Sequence, residues 1–251
     1  MTMMGRMKPA EDEGVGAVVF DLDDTLYPER DFAFSGYDAV ESWLAAETGV
    51  QGFAGVCRSV FEAGERARVF NRALALAGLR DDPGLIARMV DVYRGHAPRI
   101  RLAADAERWL ARSAAPVGLV TDGPPAMQRA KVRALGIEDR LRFAIFTGDW
   151  PQGFGKPHCR PFVEAERHAQ RLGLRGRLVY VADNAAKDFV RPRSRGWLTV
   201  QVTRPERIHR APPRSQSFAA HAAIPDLDAL DACLRRLSGR PASAALASAG
   251  R

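Results

Sequence analysis

The sequence predicts an α/β fold with a parallel sheet and a separate all-helical insert. Five apolar runs of strand length alternate with segments of helical periodicity along most of the chain. Helical connections of this length imply crossovers between parallel strands. A different pattern interrupts the alternation between about residues 32 and 104, where apolar residues recur at helical offsets. A chain of 251 residues is long enough for one large domain that carries such an insert.

The first strand lies in residues 17–27, where an apolar run leads directly into acidic side chains. β-branched residues in a continuous apolar run indicate a strand that is covered on both faces. Ligands of open α/β sheets bind outside the carboxyl ends of the strands, which is where Asp21, Asp23 and Asp24 fall. Residues two apart in an extended segment point the same way, so Asp21 and Asp23 are expected to converge on one ligand. An acidic pair that only ends a strand or caps a turn is the alternative at this point.

The remaining elements follow the same alternation. The other predicted strands cover residues 116–123, 141–147, 178–183 and 197–202, and the helices around them cover residues 104–112, 127–135, 160–172 and 227–237. Parallel strands place their carboxyl ends at one edge of the sheet, so Thr121 and Asp183 are expected on the same edge as Asp21.

The domain organisation follows from these patterns. Gly49, Gly78 and the Asp-Asp-Pro-Gly turn at residues 81–84 divide the insert into helical segments, whose apolar residues are expected to form a core of their own. We predict an α/β core made of residues 1–29 and 105–238, a helical insert at residues 30–104, and a tail at residues 239–251. The tail is rich in Ala, Ser and Gly, and we expect it to be disordered.

Composition and charge restrict the compartment and the partners. Three cysteines, Cys57, Cys159 and Cys233, form no CxxC pair and fit a reducing cytosol better than a disulfide framework. The first sixteen residues lack a signal-peptide core, and no run is long enough for a membrane helix. The net charge of +7 comes from arginines that are scattered among acids, whereas nucleic-acid binding usually shows a clustered basic face. We therefore expect a cytoplasmic protein that binds small anionic substrates, neither a nucleic-acid polymer nor a membrane.

Four short motifs stand in a fixed order along the chain. They are FDLDDT at residues 20–25, LVTDG at 119–123, GFGKP at 153–157 and VADNAAKDF at 181–189. In this order and spacing they resemble the four motifs of the haloacid dehalogenase (HAD) superfamily, over about residues 17–202. The helical insert between the first and second motifs resembles the helical cap of that family. The resemblance implies a Rossmann-like parallel sheet core with a small all-helical cap domain.

The resemblance assigns the reacting groups to the first motif. Asp21 corresponds to the nucleophile, a carboxylate that attacks phosphorus and forms an aspartyl-phosphate. Asp23 corresponds to the general acid and base, which protonates the leaving oxygen and then activates water. Neighbouring carboxylates raise one another's pKa, so Asp23 is expected to be held protonated.

The resemblance also implies a bound Mg²⁺ ion. Asp21 and Asp183 correspond to the metal-binding acids, and the backbone carbonyl of Asp23 also meets the metal in the family; such hard oxygen ligands suit magnesium. Asp188 is expected to orient a neighbouring group rather than to bind the metal directly. Asn184 either supports the metal site or caps the local turn.

The phosphoryl group is expected to meet the second and third motifs. The hydroxyl of Thr121 and the ammonium of Lys156 correspond to groups that hold the phosphoryl oxygens. Backbone amides near Asp122 and Gly123 are expected to join them. Ala182 stands where Gly is usual in the family, which adds one methyl group near the site.

These assignments predict a magnesium-dependent phosphomonoester hydrolase for a small phosphorylated metabolite, a nucleotide or a sugar phosphate. The dehalogenases of the family lack an acid at the position of Asp23. Its phosphonate-cleaving members need a lysine in the cap, and the four lysines, Lys8, Lys131, Lys156 and Lys187, all lie outside the insert. A phosphomutase or phosphotransferase shares all four motifs and stays an alternative, as does a non-catalytic binding protein on the same scaffold. The oligomeric state is left open.

Overall fold

The computed structural model describes residues 14–239 of the chain. Within them the strands are β1 (Val15–Phe20), β2 (Val117–Thr121), β3 (Leu141–Phe146), β4 (Arg177–Ala182), β5 (Leu198–Val202) and β6 (Ala222–Ile224). The helices are α1 (Glu29–Thr48), α2 (Phe53–Glu62), α3 (Val69–Leu76), α4 (Pro83–Gly95), α5 (Ala104–Arg112), α6 (Pro125–Ala134), α7 (Arg160–Arg171), α8 (Val190–Ser194) and α9 (Leu230–Leu237). Short 3-10 turns cover Glu138–Arg140, Thr147–Asp149 and Leu227–Ala229.

The six strands form one parallel sheet in the order β3-β2-β1-β4-β5-β6. This confirms the predicted α/β class. β1 lies between β2 and β4, and its last residue, Phe20, is aligned with Leu119 of β2 and Val181 of β4. The loops that follow these three strands therefore start side by side, which sets the place of the site.

Both faces of the sheet are covered, as the apolar runs predicted. Alternate residues of β1 point to opposite faces, so that Val18 and Phe20 join one apolar cluster while Ala17 and Val19 join the other. Trp109 of α5 packs edge-on against Phe20 on the first face. Phe162 of α7 packs edge-on against Tyr180 of β4 on the second. The sheet is thus packed against α5 on one face and against α7 on the other.

The helices α1–α4 have an apolar core of their own. Its buried members include Tyr37, Val40, Leu44, Phe53, Val60, Phe61, Phe70, Leu74 and Met89. α1 ends at Gly49, whose φ of 76° is a left-handed conformation that favours glycine. The side chain of Asp82 accepts hydrogen bonds from the backbone N–H groups of Gly84 and Leu85 and so caps α4. The domain boundaries at residues 29/30 and 104/105 stay a prediction.

The sequence analysis did not predict β6, and it placed the start of the helical insert at residue 30, one residue after the start of α1. β6 has only three residues, Ala-Ala-Ile, which is too short to show a strand period. α1 begins at Glu29 because Asp24 binds the first N–H group of the helix, as described below. The tail from residue 240 onward lies outside the described residues. No helix among residues 14–239 has both the length and the apolar character needed to cross a membrane.

Candidate active site

Asp21 and Lys156 meet at the end of the central strand. The backbone N–H of Asp21 still donates to Val181 O (2.9 Å), so the residue continues the pairing of β1 with β4. Lys156 Nζ lies 2.7 Å from Asp21 Oδ1 and 2.9 Å from Asp188 Oδ1, and its side chain is fully buried. Burial raises the pKa of Asp21 to about 6, against the opposing effect of the Lys156 ammonium. One buried cation therefore holds two acids, one from each of two loops.

The side chain of Asp23 faces different partners from those of Asp21. Its Oδ1 lies 2.7 Å from Lys131 Nζ and accepts from the hydroxyl of Tyr27, and its Oδ2 accepts from Gln128 Nε2 at 3.0 Å. Burial alone would raise the pKa of Asp23, but Lys131, Tyr27 and Gln128 outweigh it and lower that pKa. The expectation that neighbouring carboxylates keep Asp23 protonated is therefore wrong, because its closest charged partner is a cation.

Thr121 is buried at the end of β2 and accepts a hydrogen bond from Gln128 Nε2 at 2.5 Å. Gln128 thus touches both Thr121 and Asp23, and it brings together two predicted site residues from neighbouring loops. Gly123 follows with a φ of 121°, a conformation that L side chains rarely adopt.

The carboxylate of Asp122 organises the surrounding loops. It accepts from the hydroxyl of Thr147 (2.7 Å) and from the backbone N–H of Lys156 (3.1 Å), and it forms an ion pair with Lys187 at 2.9 Å. Burial would raise the pKa of Asp122, but Lys156 and Lys187 outweigh it and lower that pKa to about 2. The sequence analysis assigned only a backbone amide to Asp122. The structure shows that the side chain of Asp122 also connects the surrounding loops.

A cluster of acids marks the site where a cation fits. Asp21, Asp183 and Asp188 each offer a carboxylate oxygen, and these oxygens lie within 4.8 Å of one another. Asp183 Oδ2 is buried and has no hydrogen-bond partner among the described residues. Burial, together with the charges of Asp21 and Asp188, raises the pKa of Asp183 to about 9. Three converging carboxylates with an unsatisfied oxygen match the donor set that magnesium prefers.

Asn184 and Asp188 shape the loop after β4. Asn184 Oδ1 accepts from the backbone N–H of Ala186 (3.0 Å). This hydrogen bond caps the local turn, which is one of the two roles predicted for Asn184. Asp188 Oδ2 accepts from the backbone N–H of Asn184 at 3.1 Å. Asp188 thus closes its own loop and holds Lys156, and its carboxylate is also a member of the acid cluster.

Some of the residues described above line a cavity of about 250 Å³, namely Asp21, Asp23, Asp122, Gly123, Asp183 and Lys187. Its lining also includes side chains that the sequence analysis did not assign to the site: Glu29, Met127, Gln128, Lys131 and His209. Burial and the charge of Asp23 raise the pKa of Glu29 to about 8. The sequence did contain a signal for two of these residues. Gln128 and Lys131 are three residues apart on the helix that follows the second motif, so their side chains lie on one face of that helix.

Asp24 connects the site loop to two other segments. Its Oδ1 accepts from the backbone N–H of Glu29 (2.8 Å), and its Oδ2 accepts from the backbone N–H of Ile208 (2.6 Å). Asp24 has a φ of 53°, an uncommon conformation for a residue with a side chain. The same loop is held by Arg204, which donates to Thr25 O and forms a bidentate pair with Asp105 at 2.8 Å.

Comparison with known proteins adds independent information. The family model for haloacid dehalogenase-like hydrolases matches residues 15–189. Two curated relatives are named glyceraldehyde 3-phosphate phosphatase. The one from Methanopyrus kandleri is 28% identical and the alignment covers 76% of this chain and 84% of the relative; the one from Methanocaldococcus jannaschii is 25% identical, with 75% and 85% covered. A solved structure of 2-haloacid dehalogenase from Pseudomonas syringae pv. tomato is similar with a TM-score of 0.58 at 24% identity, covering 89% of this chain and 99% of that one.

Proposed function

The chain belongs to the haloacid dehalogenase-like hydrolases, and from this premise we propose that it is a cytoplasmic, magnesium-dependent phosphatase. Its substrate is a small phosphorylated metabolite, and the names of the two curated relatives favour a sugar phosphate over a nucleotide. The observation that carries the proposal is the meeting of Asp21, Lys156 and Asp183 at the carboxyl ends of two adjacent strands.

Asp21 acts as the nucleophile. Its carboxylate attacks phosphorus, the bond to the leaving oxygen breaks, and an aspartyl-phosphate forms that water then hydrolyses. Lys156 holds Asp21 in place, and with Thr121 it offers donors to the phosphoryl oxygens. The backbone amides of Asp122 and Gly123 complete this cradle, and Gly123 allows the required backbone conformation.

Asp23 moves the proton in both half-reactions. It protonates the leaving oxygen in the first and takes a proton from water in the second. Lys131 and Gln128 orient its carboxylate and favour the ionised form, which suits the second half-reaction. The first half-reaction needs a proton on Asp23, and Glu29 in the same cavity supplies it, because burial raises the pKa of Glu29 to about 8 and keeps that residue protonated at neutral pH. The proton that Asp23 takes from water in the second half-reaction returns to Glu29, which restores the starting state.

Magnesium would be held by the carboxylates of Asp21 and Asp183 and by the backbone carbonyl of Asp23, with Asp188 at the margin. The unsatisfied Oδ2 of Asp183 and the convergence of three acids support this assignment. When bound, the ion offsets the repulsion between an anionic nucleophile and an anionic phosphate.

The surroundings of Asp23 favour a phosphatase over a dehalogenase. The likeness to a 2-haloacid dehalogenase concerns the fold, and displacement at carbon needs no acid for the leaving group. A carboxylate fixed by Lys131, Gln128 and Tyr27 is instead suited to proton transfer. A phosphomutase or phosphotransferase would use the same groups, and it differs only in the acceptor of the phosphoryl group. A non-catalytic scaffold has no chemical use for the full set of Asp21, Asp23, Lys156 and Asp183.

The test is phosphate release from sugar phosphates, nucleotides and phenyl phosphate, with magnesium or with a chelator, by the wild type and the Asp21→Asn variant. We expect magnesium-dependent release that the variant loses while its circular dichroism spectrum is unchanged. Phosphoryl transfer to a second sugar without phosphate release would identify a mutase or a transferase. A folded wild type that binds magnesium and acts on none of these compounds would contradict the proposal.

A further inference from the structure

A second cavity of about 410 Å³ lies next to the 250 Å³ cavity of the candidate active site, which we call the catalytic cavity. It is bordered by the beginning of α1, by the end of α2 with the loop after it, and by the segment of residues 205–210 that follows β5. Its lining residues are Arg30, Phe61, Glu62, Arg66, Glu206, Arg207, Ile208 and Arg210. Four guanidinium groups face two carboxylates, so this cavity carries an excess of positive charge.

The same two segments of the chain border both cavities. Glu29 and His209 line the catalytic cavity, while Arg30 and Arg210, which follow them directly in the chain, line the second one. The arginines therefore belong to the segments that also form one side of the catalytic cavity. The catalytic cavity itself is lined by five acids and only two lysines, so the sign of the charge changes between the cavities.

Asp24 fixes both walls relative to the reacting centre. Its two carboxylate oxygens accept from Glu29 N at 2.8 Å and from Ile208 N at 2.6 Å. The carboxylate that anchors both segments lies only three residues after Asp21. The spacing between the nucleophile and the second cavity is thus set by the folded backbone, as a substrate with two fixed ends requires.

The arginines of this cavity keep donors free. Within residues 14–239, Arg66, Arg207 and Arg210 donate only to backbone carbonyl groups, those of Glu65, Arg204, His209, Arg207 and Pro205. Many arginines elsewhere in the described chain, such as Arg108, Arg129 and Arg195, pair with carboxylates.

Arg66 is also oriented by an aromatic ring. Its guanidinium lies 3.6 Å from the centroid of the Phe61 ring, and Phe61 is a buried residue of the helical core. Stacking on a fixed ring leaves the edge of the guanidinium available, and that edge is the part that binds carboxylate or phosphate in bidentate fashion.

We propose that the second cavity binds a second oxyanion of the substrate, so that the preferred substrates are phosphomonoesters with a carboxylate or a further phosphate at their other end. This inference rests on the proposed phosphatase function and names the substrate class for it. The phosphoryl group to be cleaved lies at Asp21, and the distal oxyanion is bound by Arg66, Arg207 and Arg210.

The experiment compares matched pairs of substrates by kcat/KM. Fructose 1,6-bisphosphate against fructose 6-phosphate tests a distal phosphate, and 3-phosphoglycerate against glyceraldehyde 3-phosphate tests a distal carboxylate. In the wild type we expect at least one of the two ratios to exceed about ten, the scale of one charge-assisted hydrogen bond. In Arg66→Gln and Arg210→Gln the same ratio should fall about tenfold. The control is Arg167→Gln, which removes an exposed arginine of α7 that pairs with Glu164 and lies outside both cavities, and it should leave the ratio unchanged.

Two further measurements separate the failure of this inference from the failure of the phosphatase function. Hydrolysis of phenyl phosphate, which has no second oxyanion, reports the phosphatase function alone. Calorimetric titration of the magnesium-loaded Asp21→Asn variant with fructose 1,6-bisphosphate reports binding without turnover, and the further changes Arg66→Gln and Arg210→Gln in that variant should weaken binding by more than tenfold. Ratios near one for both pairs, or equal binding by Asp21→Asn with and without the two arginine changes, would overturn the inference.

Discussion

The ammonium of Lys131 lies 2.7 Å from the Oδ1 oxygen of Asp23 and is almost completely buried. The same nitrogen lies 4.2 Å from the centroid of the Phe32 ring, which belongs to α1 of the helical insert. Lys131 therefore joins the acid of the first motif to the insert above it. A change at this residue should alter proton transfer rather than phosphate binding, because its contacts are with Asp23 and not with the residues around Lys156.

Replacement of Lys131 by Met should reduce kcat/KM for alkyl phosphates about a hundredfold, the lower range for general acid catalysis. The loss comes from positioning: without Lys131 the pKa of Asp23 rises, but its carboxyl group is no longer held in place beside the leaving oxygen. A poor leaving group needs the proton that a well-placed Asp23 delivers, whereas 2,4-dinitrophenolate leaves without it. The loss should therefore be much smaller for 2,4-dinitrophenyl phosphate. Arg129→Met, on the same helix, removes an exposed pair with Asp149 and serves as the control. An equal loss for both kinds of substrate would mean that Lys131 only supports the fold.

Asp183→Asn should stabilise the metal-free protein. The folded protein holds a proton on Asp183 up to about pH 9, because burial and the charges of Asp21 and Asp188 raise its pKa, while the unfolded chain loses that proton near pH 4. Stability contributed by this group is thus present at low pH and falls as the pH rises from about 4 to about 9. The Asn variant removes this slope, so at pH 8.5 in chelator its Tm should exceed that of the wild type by several degrees.

Magnesium should reverse this order, because the ion favours the ionised carboxylates of the wild type. Asp139→Asn, at an exposed position, is the control and should change the Tm little in either condition. The prediction would be contradicted if, in chelator, the wild type were as stable as Asp183→Asn across this pH range, because the buried acids would then not destabilise the metal-free protein.

Asp105→Asn should lower the free energy of unfolding by about 3 kcal/mol, since it leaves the buried guanidinium of Arg204 without its charged partner. Burial raises the pKa of Asp105, but Arg204 and the N–H of Leu227 outweigh it and lower that pKa. The ionised pair therefore stabilises the fold above the ordinary carboxyl range, and this contribution is lost as the pH falls through the lowered pKa. Urea unfolding at pH 7.5 and at pH 3 measures the difference.

The matched control for that pair is Asp228→Asn, which breaks exposed contacts with Arg108 and Arg112 of the same helix. It should leave the free energy of unfolding almost unchanged, because solvent screens exposed ion pairs. Equal effects of the two variants at pH 7.5 would contradict a special role of the buried pair.

Gly118→Ala should destabilise the sheet by about 1–3 kcal/mol, the usual range for overpacking. A Cβ atom at this position of β2 would overlap the phenyl ring of Phe143 on β3. That ring cannot easily give way, because it stacks on His168 of α7. Urea unfolding measures the effect, and Phe143→Leu in the Gly118→Ala background should recover part of it by making room. A double variant that is less stable than the sum of the two single effects would contradict this reading.

The order of the elements and the place of the site could be predicted from the sequence because both depend on local patterns. The apolar runs before Asp21, Thr121 and Asp183 identify three strands, and helical connections make those strands parallel. Parallel strands necessarily collect their carboxyl ends at one edge, so these three residues were expected to be neighbours without any knowledge of long-range contacts. β6 was not predicted because three residues are too few to show the alternation of apolar and polar residues that identifies a strand.

The directions of the side chains could not be predicted in the same way. Asp21 and Asp23 share a motif, yet Asp21 pairs with Lys156 while Asp23 pairs with Lys131, which is 108 residues away in the chain. The sequence analysis used Lys131 only to note that the helical insert lacks lysine. A buried carboxylate is governed by whichever cation the fold brings within about 3 Å, and sequence distance carries no information about that choice.

By itself, the sequence determined the fold class, the edge of the sheet where chemistry occurs and the set of acids that meet there. Only the tertiary structure decided which cation holds each acid, how Asp24 joins Glu29 to Ile208, and where the second cavity lies. The physical reason is the range of the interactions. Hydrophobic periodicity acts over a few residues, whereas ion pairs and buried hydrogen bonds join segments that only the folded chain brings together.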